Sequence, residues 1–209
     1  MADGDIADWL TEQGLEVHAS LFADNRIDFD VLTDLSEADL RELGLPLGDR
    51  KRLMKAIEAL ADISAARQNL DEAIKMGHAT VIGFHGPRLY GLRARLAEND
   101  DERHQWLNWG EDLLQEGANA HNFLWFHRDA IDACLAAKEM KQVRYHCSAL
   151  GELVKADPLP WAEFFVARGR VLADCAEGHS DISALENAKE QGQMLGLYGA
   201  IAELEERLT

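Results

Sequence analysis

The residue types best suited to chemistry, eight histidines and three cysteines, form no metal-binding or nucleophilic pattern in this chain. Cys134, Cys147 and Cys175 are separated by 13 and 28 residues, unlike the closely paired cysteines of zinc sites. His121 and His127 are six residues apart, which places them on different sides of a helix. We therefore expect no metal site, and we expect the cysteines to be buried apolar residues in a reducing compartment.

Strings that would bind phosphate or activate a nucleophile are also absent. The phosphate-binding string G-x-x-x-x-G-K-[ST] does not occur, and in Gly44–Asp49 an aspartate stands where that motif requires a lysine. Neither G-x-S-x-G nor H-E-x-x-H is present. The sequence therefore predicts no catalytic residues and no cofactor, and we expect a protein that is not an enzyme.

Charged residues are the more informative chemistry. The net charge is −17, and residues 1–62 carry 15 acidic and 6 basic residues, so both parts of the chain are acidic. We expect neither part to bind nucleic acid, which requires a basic surface. An acidic run nevertheless precedes a basic cluster within 1–62. The run comprises Asp28, Asp30, Asp34, Glu37 and Asp39, and the cluster comprises Arg50, Lys51, Arg52 and Lys55.

The basic cluster begins the last predicted helix of this region. Cations at a helix N-terminus oppose the helix dipole, at a cost of about 0.3–1 kcal/mol each when exposed. A locally unfavourable choice suggests an external partner. A small domain with opposite charges at two places could bind copies of itself head to tail, and such contacts form closed rings or open filaments. The sequence does not decide between these two outcomes.

Five short helices are predicted to position these charges, because apolar residues recur at helical spacing between 5 and 62. Gly14 and Gly44 are expected to end helices, since glycine readily adopts the left-handed conformation found there. Ser36 and Asp39 have the spacing of a capping box. The apolar face of the second helix is predicted to comprise Val17, Leu21 and Phe22.

Nearly all of 5–62 resembles a sterile alpha motif (SAM) domain, a five-helix bundle. The resemblance rests on Trp9-Leu10, Gly14-Leu15, Phe22, Ile27-Asp28, Leu32, Leu35, Ser36–Leu45 and Gly48–Leu53. It implies two association surfaces, through which the domain binds itself or another SAM domain. We name them the acidic surface (Asp28, Asp30, Asp34 and Asp39) and the basic surface (Gly48, Arg50, Lys51 and Arg52). Side chains of Arg50–Arg52 turned inward against their own carboxylates would weaken this interpretation.

The rest of the chain is also predicted to be helical. Helices are expected at roughly 63–76, 88–98, 102–115, 122–137, 141–155, 161–177, 182–195 and 200–208, with a glycine-rich loop at 77–87. We therefore predict an all-α protein with a SAM domain at 1–62, a helical connector and loop at 63–86, and a helical region at 87–209. Helix lengths favour antiparallel helical hairpins of the tetratricopeptide (TPR) kind, with a plain helical bundle as the alternative.

Two segments of this tail, His121–Asp132 and Pro158–Arg170, resemble the TPR-like end of large bacterial signalling proteins that join class III adenylate cyclase, SAM and ATPase regions. The cyclase and ATPase regions themselves have no counterpart here. We expect the aromatic clusters of the two segments to pack between helices. The functional alternative is a protein-binding groove lined by Arg128, Asp132, Arg168 and Arg170.

Together these patterns predict a cytoplasmic, non-catalytic adaptor. Its SAM domain would bind itself or another SAM-domain protein, and its tail would bind an unknown protein or peptide. Neither nucleic acid nor membrane is an expected partner. The alternative is a fragment or shortened relative of a bacterial adenylate cyclase–ATPase signalling protein, with a regulatory role.

Overall fold

The computed structural model describes residues 5–78 and 82–208, and all the regular structure in these ranges is helical. The chain forms two compact units, Met1–Asn69 and Leu70–Thr209. The predicted all-α fold is therefore confirmed. None of the helices in the described ranges combines the length and apolar character that a membrane span requires.

Within residues 5–69 the first unit contains five α-helices, as the sequence predicts, and a 3₁₀ turn that it does not predict. Asp5 caps the first helix through the backbone N–H of Ala7, and Ser36 and Asp39 form a reciprocal capping box. Gly44 follows the fourth helix with a φ of 88°, a conformation that only glycine adopts without strain. The bounds are α1 Ile6–Glu12, the 3₁₀ turn Glu16–His18, α2 Ala19–Asp24, α3 Phe29–Leu32, α4 Glu37–Glu42 and α5 Leu47–His78.

Leucine, isoleucine and phenylalanine side chains from every α-helix of the first unit build its core. The buried members are Leu10, Leu15, Phe22, Ile27, Leu32, Leu40, Leu45, Leu53 and Ile57. The predicted apolar face of the second helix is wrong in one position. Val17 lies in the 3₁₀ turn and is 73% exposed, because the chain there has a tighter period than the α-helix assumed.

The loop predicted at 77–87 is wrong for most of its length. Helix α5 continues to His78, and α6 (Ile82–Arg95) already includes Pro87; residues 79–81 lie outside the described range. Proline removes one backbone hydrogen bond from a helix interior, which is why its presence suggested a loop. Gly86 and Pro87 are both buried, so tertiary packing of α6 outweighs the local preference.

The second unit consists of consecutive helices that pack against their neighbours. Contacts join α6 to α7 and α8, α8 to α9, α9 to α10, α10 to α8 and α11, and α12 to α10 and α11. The bounds are α7 Asp100–Gln115, α8 Ala120–Ala136, α9 Met140–Leu153, α10 Pro160–Ala176, α11 Ile182–Met194 and α12 Tyr198–Leu208. Short connections and neighbour packing are the features of helical hairpins.

Three helical glycines allow the helices of this unit to approach closely. A Cβ atom on Gly110 would lie 2.1 Å from the ring of Phe126, and one on Gly192 would lie 2.3 Å from Ile201. One on Gly169 would lie 2.6 Å from Sγ of Cys147. The core therefore has the density of a close-packed interior at these crossings, with no room for a single methyl group.

Candidate functional site

All four aspartates of the acidic surface are exposed, but two of them also serve the local fold. The carboxylate of Asp28 accepts hydrogen bonds from the backbone N–H groups of Asp30 and Val31, and thereby caps α3. Asp39 accepts the hydroxyl and backbone hydrogens of Ser36, and these bonds lower the pKa of its carboxyl group. Asp30 and Asp34 have no ion pair within the described residues. They are the acidic groups most available to a partner.

Arg50 of the basic surface turns toward its own domain. Its Nη1 donates to the backbone carbonyl of Leu45 at 2.7 Å, and its Nε lies 3.8 Å from Oε1 of Glu37. Only 13% of its side chain is exposed. The structure therefore places Arg50 in the packing between α4 and α5, and a direct contact with a partner is not expected of it.

The neighbouring cations remain outside. The Arg52 side chain is 64% exposed and lies 3.6 Å from Oδ1 of Asp49, a distance at which an exposed ion pair contributes little. Lys51 is exposed and has no ion pair in the described part of the chain, and Gly48 leaves open space around its Cα. Side chains of residues 50–52 turned inward would leave no basic surface for a partner. Arg50 is turned inward, but Lys51 and Arg52 are not.

His18 fixes the helix that carries the basic surface. Its Nε2 lies 2.9 Å from Oδ2 of Asp49 in the first turn of α5, and both side chains are largely buried. This pair joins the 3₁₀ turn to the beginning of α5. The role of His18 is not visible in the sequence, because 31 residues separate the two partners.

Each charged surface has an apolar neighbour. Val31 follows Asp30 and is partly exposed, and Leu47 stands beside Gly48 and is also exposed. An apolar contact inside a rim of opposite charges is the usual composition of a protein interface. The first unit therefore carries two different patches with complementary chemistry.

In the second unit, the structure brings three of the four predicted tail residues together. Nη1 of Arg168 donates to Asp132 at 2.7 Å, and Nη2 of Arg128 lies 3.7 Å from the same carboxylate. All three side chains line one groove, which we name the tail groove. Arg170 lines a different depression, beside Gly151 and Lys155. Its placement with the other three is wrong, because α10 directs residues 168 and 170 about 200° apart.

Sequence reasoning missed Arg95, which lines the tail groove, and Asp129, which pairs with two of its arginines. Arg95 reaches the groove from the end of α6 and lies 3.5 Å from Asp132. Asp129, only 1% exposed, pairs with both Arg95 and Arg128 beneath the groove. Desolvation raises the pKa of the Asp129 carboxyl group, and the two arginines oppose that effect. A charged residue on the apolar side of α8 was the available indication, since such residues are seldom buried without partners.

Titratable groups are also buried elsewhere in this unit. Nδ1 of His127 lies 3.0 Å from Nδ1 of His146, and burial lowers the pKa of His127 to about 4. Burial, together with the charge of His127, lowers the pKa of His146 to about 3. Burial raises the pKa of the Cys134 thiol to about 12 and that of Cys147 to about 11, so both are poor nucleophiles near neutral pH.

The histidines and cysteines form no metal-binding cluster in the described residues. Among residues 5–78 and 82–208, no three His, Cys, Asp or Glu side chains are arranged to hold a metal ion. The arrangements with clear chemical character in these ranges are the two charged surfaces of the first unit and the tail groove of the second.

Comparison with known proteins identifies the first unit. Residues 2–61 match the family model of the SAM domain (Sterile alpha motif), so the chain contains an N-terminal SAM domain. The chain is 35% identical over 92 residues to Protein bicaudal C of Drosophila melanogaster. That match spans 44% of this chain and 10% of the fly protein. No solved structure matches the chain.

The match also indicates the general kind of function. SAM domains mediate protein–protein interaction and oligomerisation, so the first unit is an interaction domain. The comparisons support the SAM domain and do not show the predicted TPR-like character of the tail or its resemblance to bacterial cyclase proteins.

Proposed function

We propose that the chain is a non-catalytic adaptor whose SAM domain associates with copies of itself. The observation that supports this is the exposure of opposite charges on one small domain, Asp30 and Asp34 on the acidic surface and Lys51 and Arg52 on the basic surface. Each patch includes an exposed apolar side chain, Val31 or Leu47. A different SAM domain with the same two charged patches is the alternative partner of the same surfaces.

The tail completes the proposed adaptor by holding a protein partner. Linking a binding surface to an oligomeric domain raises the effective concentration of whatever the surface holds. The regulatory alternative, a shortened relative of a bacterial cyclase–ATPase protein, stays a prediction. Turnover of nucleotide by the purified chain would contradict the non-catalytic part of the proposal.

Variants in which one surface charge is reversed test self-association. In light scattering at low salt, the unmodified chain should form assemblies that grow with concentration and shrink as salt rises, since charges are screened over about 10 Å at 0.1 M. Lys51→Glu should reduce assembly because it changes an exposed cation of the basic surface. Asp34→Lys should do the same from the acidic surface.

Mixing these two variants sharpens the test. Each retains one intact surface, so an equimolar mixture should form a discrete pair that cannot grow. Lys75→Glu, an exposed change near the other end of α5, and Glu12→Lys, an exposed change in α1, are matched controls that should assemble like the unmodified chain. A chain that stays monomeric at low salt and high concentration would contradict self-association and leave binding to a different SAM domain as the function of these surfaces.

A further inference from the structure

The tail groove has the dimensions and polarity of a ligand site. It has a volume of about 870 Å³ and is formed by α8, α10 and α12, with Arg95 contributed from α6. Ligand sites in proteins commonly span about 300–1,000 Å³ and combine apolar walls with a few placed polar groups. Here the polar groups are guanidinium and carboxylate groups, and the apolar walls are aromatic.

The polar groups offer more hydrogen-bond donors than acceptors. Each guanidinium group of Arg95, Arg128 and Arg168 carries five N–H donors. The carboxylate of Asp132 faces all three, at 2.7 Å from Arg168, 3.5 Å from Arg95 and 3.7 Å from Arg128. Its oxygens are thus already engaged. A cationic ligand would find this carboxylate already engaged, whereas an acceptor-rich ligand would find donors.

Two of these arginines are reachable from solvent. Arg95 is 35% exposed, and Arg128 is partly exposed with a buried Nε that has no hydrogen-bond partner in the described residues. Glu203 at the groove edge is itself partly exposed and lies 3.3 Å from Arg168. The second unit as a whole is acidic, whereas in the groove the three arginines are matched by Asp132, Glu203 and the buried Asp129. The donors that remain exposed, those of Arg95 and Arg128, are complemented by a carboxylate.

Aromatic rings lie directly beside these donors. The Arg128 guanidinium lies 4.9 Å from the ring centre of Phe165, and the rings of Trp125 and Trp161 meet edge to face at 4.8 Å. Tyr198 is exposed at the edge of the groove. Aromatic surfaces of this kind bind apolar side chains and combine well with charge-assisted hydrogen bonds at interfaces.

We propose that the tail groove binds a peptide segment of a partner protein in which an acidic residue stands next to an aromatic or branched aliphatic residue. The carboxylate pairs with Arg95 and Arg128, and the apolar side chain contacts the rings of Trp125, Trp161 and Tyr198. This inference rests on the proposed role of the tail as a protein-binding surface, and it names the chemistry of the partner.

Synthetic peptides test the ligand chemistry on the unmodified full-length chain. The probes are fluorescently labelled hexapeptides with a central Glu-Phe-Glu, Glu-Leu-Glu or Asp-Trp-Asp, each paired with its amide counterpart such as Gln-Phe-Gln. Fluorescence anisotropy should show that acidic members bind with Kd below about 1 mM and at least about tenfold more tightly than their amide counterparts, with weaker binding as salt rises. Failure of every acidic member to bind, or equal binding of the amide forms, would overturn the proposal.

Substitutions then locate the site. Arg95→Gln should weaken binding of the acidic peptides by about tenfold, and Arg128→Lys should weaken it less because a cation remains. The matched control is Arg170→Gln, which lies on the same helix as Arg168 but lines a different depression. Circular dichroism should show unchanged helix content for all three. Loss of binding in Arg170→Gln equal to that in Arg95→Gln would place the site elsewhere and overturn the assignment.

The same variants separate this inference from the proposed function. Arg95→Gln should assemble through its SAM domain like the unmodified chain, and Lys51→Glu should bind the peptides normally. A chain that assembles but binds no acidic peptide would refute the groove alone. A chain that binds acidic peptides but stays monomeric would refute self-association alone.

Discussion

The two units of this chain use charged side chains in opposite ways. Among the described residues of the second unit, six charged or histidine side chains are buried and form ion pairs or hydrogen bonds with other side chains; they are Arg93, Arg103, His127, Asp129, His146 and Arg168. Among residues 5–69, by contrast, the fully buried side chains are apolar, and the charged groups other than Asp49 and Arg50 lie at helix caps or on the surface. Most charges of the first unit are therefore available to other molecules, whereas the buried charges of the second unit hold its own helices together.

The contrast predicts its largest difference in stability between substitutions of Arg168 and Arg52. Arg168 is buried and donates to Asp132, Glu203 and the carbonyl of Ala200, so Arg168→Ala should lower the free energy of unfolding by about 3–5 kcal/mol. Arg52→Ala removes an exposed side chain and should cost less than about 0.5 kcal/mol. Chemical denaturation followed by circular dichroism measures both values.

A control clarifies the cause of that loss. Arg168→Lys keeps the charge but cannot reach three acceptors at once, so its cost should lie between those of Arg168→Ala and the unmodified chain. Equal costs for Arg168→Ala and Arg52→Ala would contradict the contrast between the units.

The second effect is that the stability of the second unit depends on pH. His127 and His146 have ordinary pKa values near 6.5 when unfolded and lowered values when folded, so the unfolded state binds protons first as pH falls. The stability of the second unit should therefore be complete above pH 6.5 and decline toward pH 4, by roughly 3 kcal/mol for His127. Urea denaturation at several pH values measures this slope.

The first unit should respond at lower pH. The lowered pKa of Asp39 contributes stability above its ordinary value of 3.8, and that contribution is lost as pH falls through the folded value. His127→Gln should make the slope between pH 6.5 and 4 shallower without changing the loss associated with Asp39. An unchanged slope in His127→Gln would show that protonation of His127 is not the cause.

The third effect tests packing in the second unit. Gly192→Ala would bring a methyl group 2.3 Å from Ile201 and 2.7 Å from Phe164, so we expect a loss of about 1–3 kcal/mol. Gly199→Ala, in open space in α12, is the matched control and should be neutral or slightly stabilising. Differential scanning calorimetry compares the two. Similar melting temperatures for both variants would argue against close packing at Gly192.

The smallest effect concerns a helix cap in the first unit. Ser36→Ala removes the side chain that accepts from the backbone N–H of Asp39, and should cost about 1 kcal/mol. Ser148→Ala is the comparison in the second unit, since that hydroxyl only donates to the carbonyl of Arg144 within an existing helix. Thermal melts should show a clear shift for Ser36→Ala and almost none for Ser148→Ala.

Much of the first unit could be predicted because its features are local. Asp5, the Ser36–Asp39 capping box and Gly44 act within a few residues of their own positions, and all three behave as their types predict. The acidic and basic runs also follow from the sequence directly. The direction of the Arg50 side chain does not follow from the sequence, because it depends on the fold of the chain before α5, which brings the Leu45 carbonyl and Glu37 within reach of its guanidinium group.

What the sequence by itself determined is therefore the helical class, the SAM domain and the positions of its charged runs, since periodicity, caps and turn residues act over short distances. Only the tertiary structure decided that α6 includes Pro87, that Arg50 turns inward, and that Arg95 lines the tail groove and pairs with the buried Asp129 while Arg170 lies elsewhere. Arg95 and Asp129 are 34 residues apart in sequence. Contacts over such separations depend on how whole helices pack, and local sequence patterns do not predict that packing.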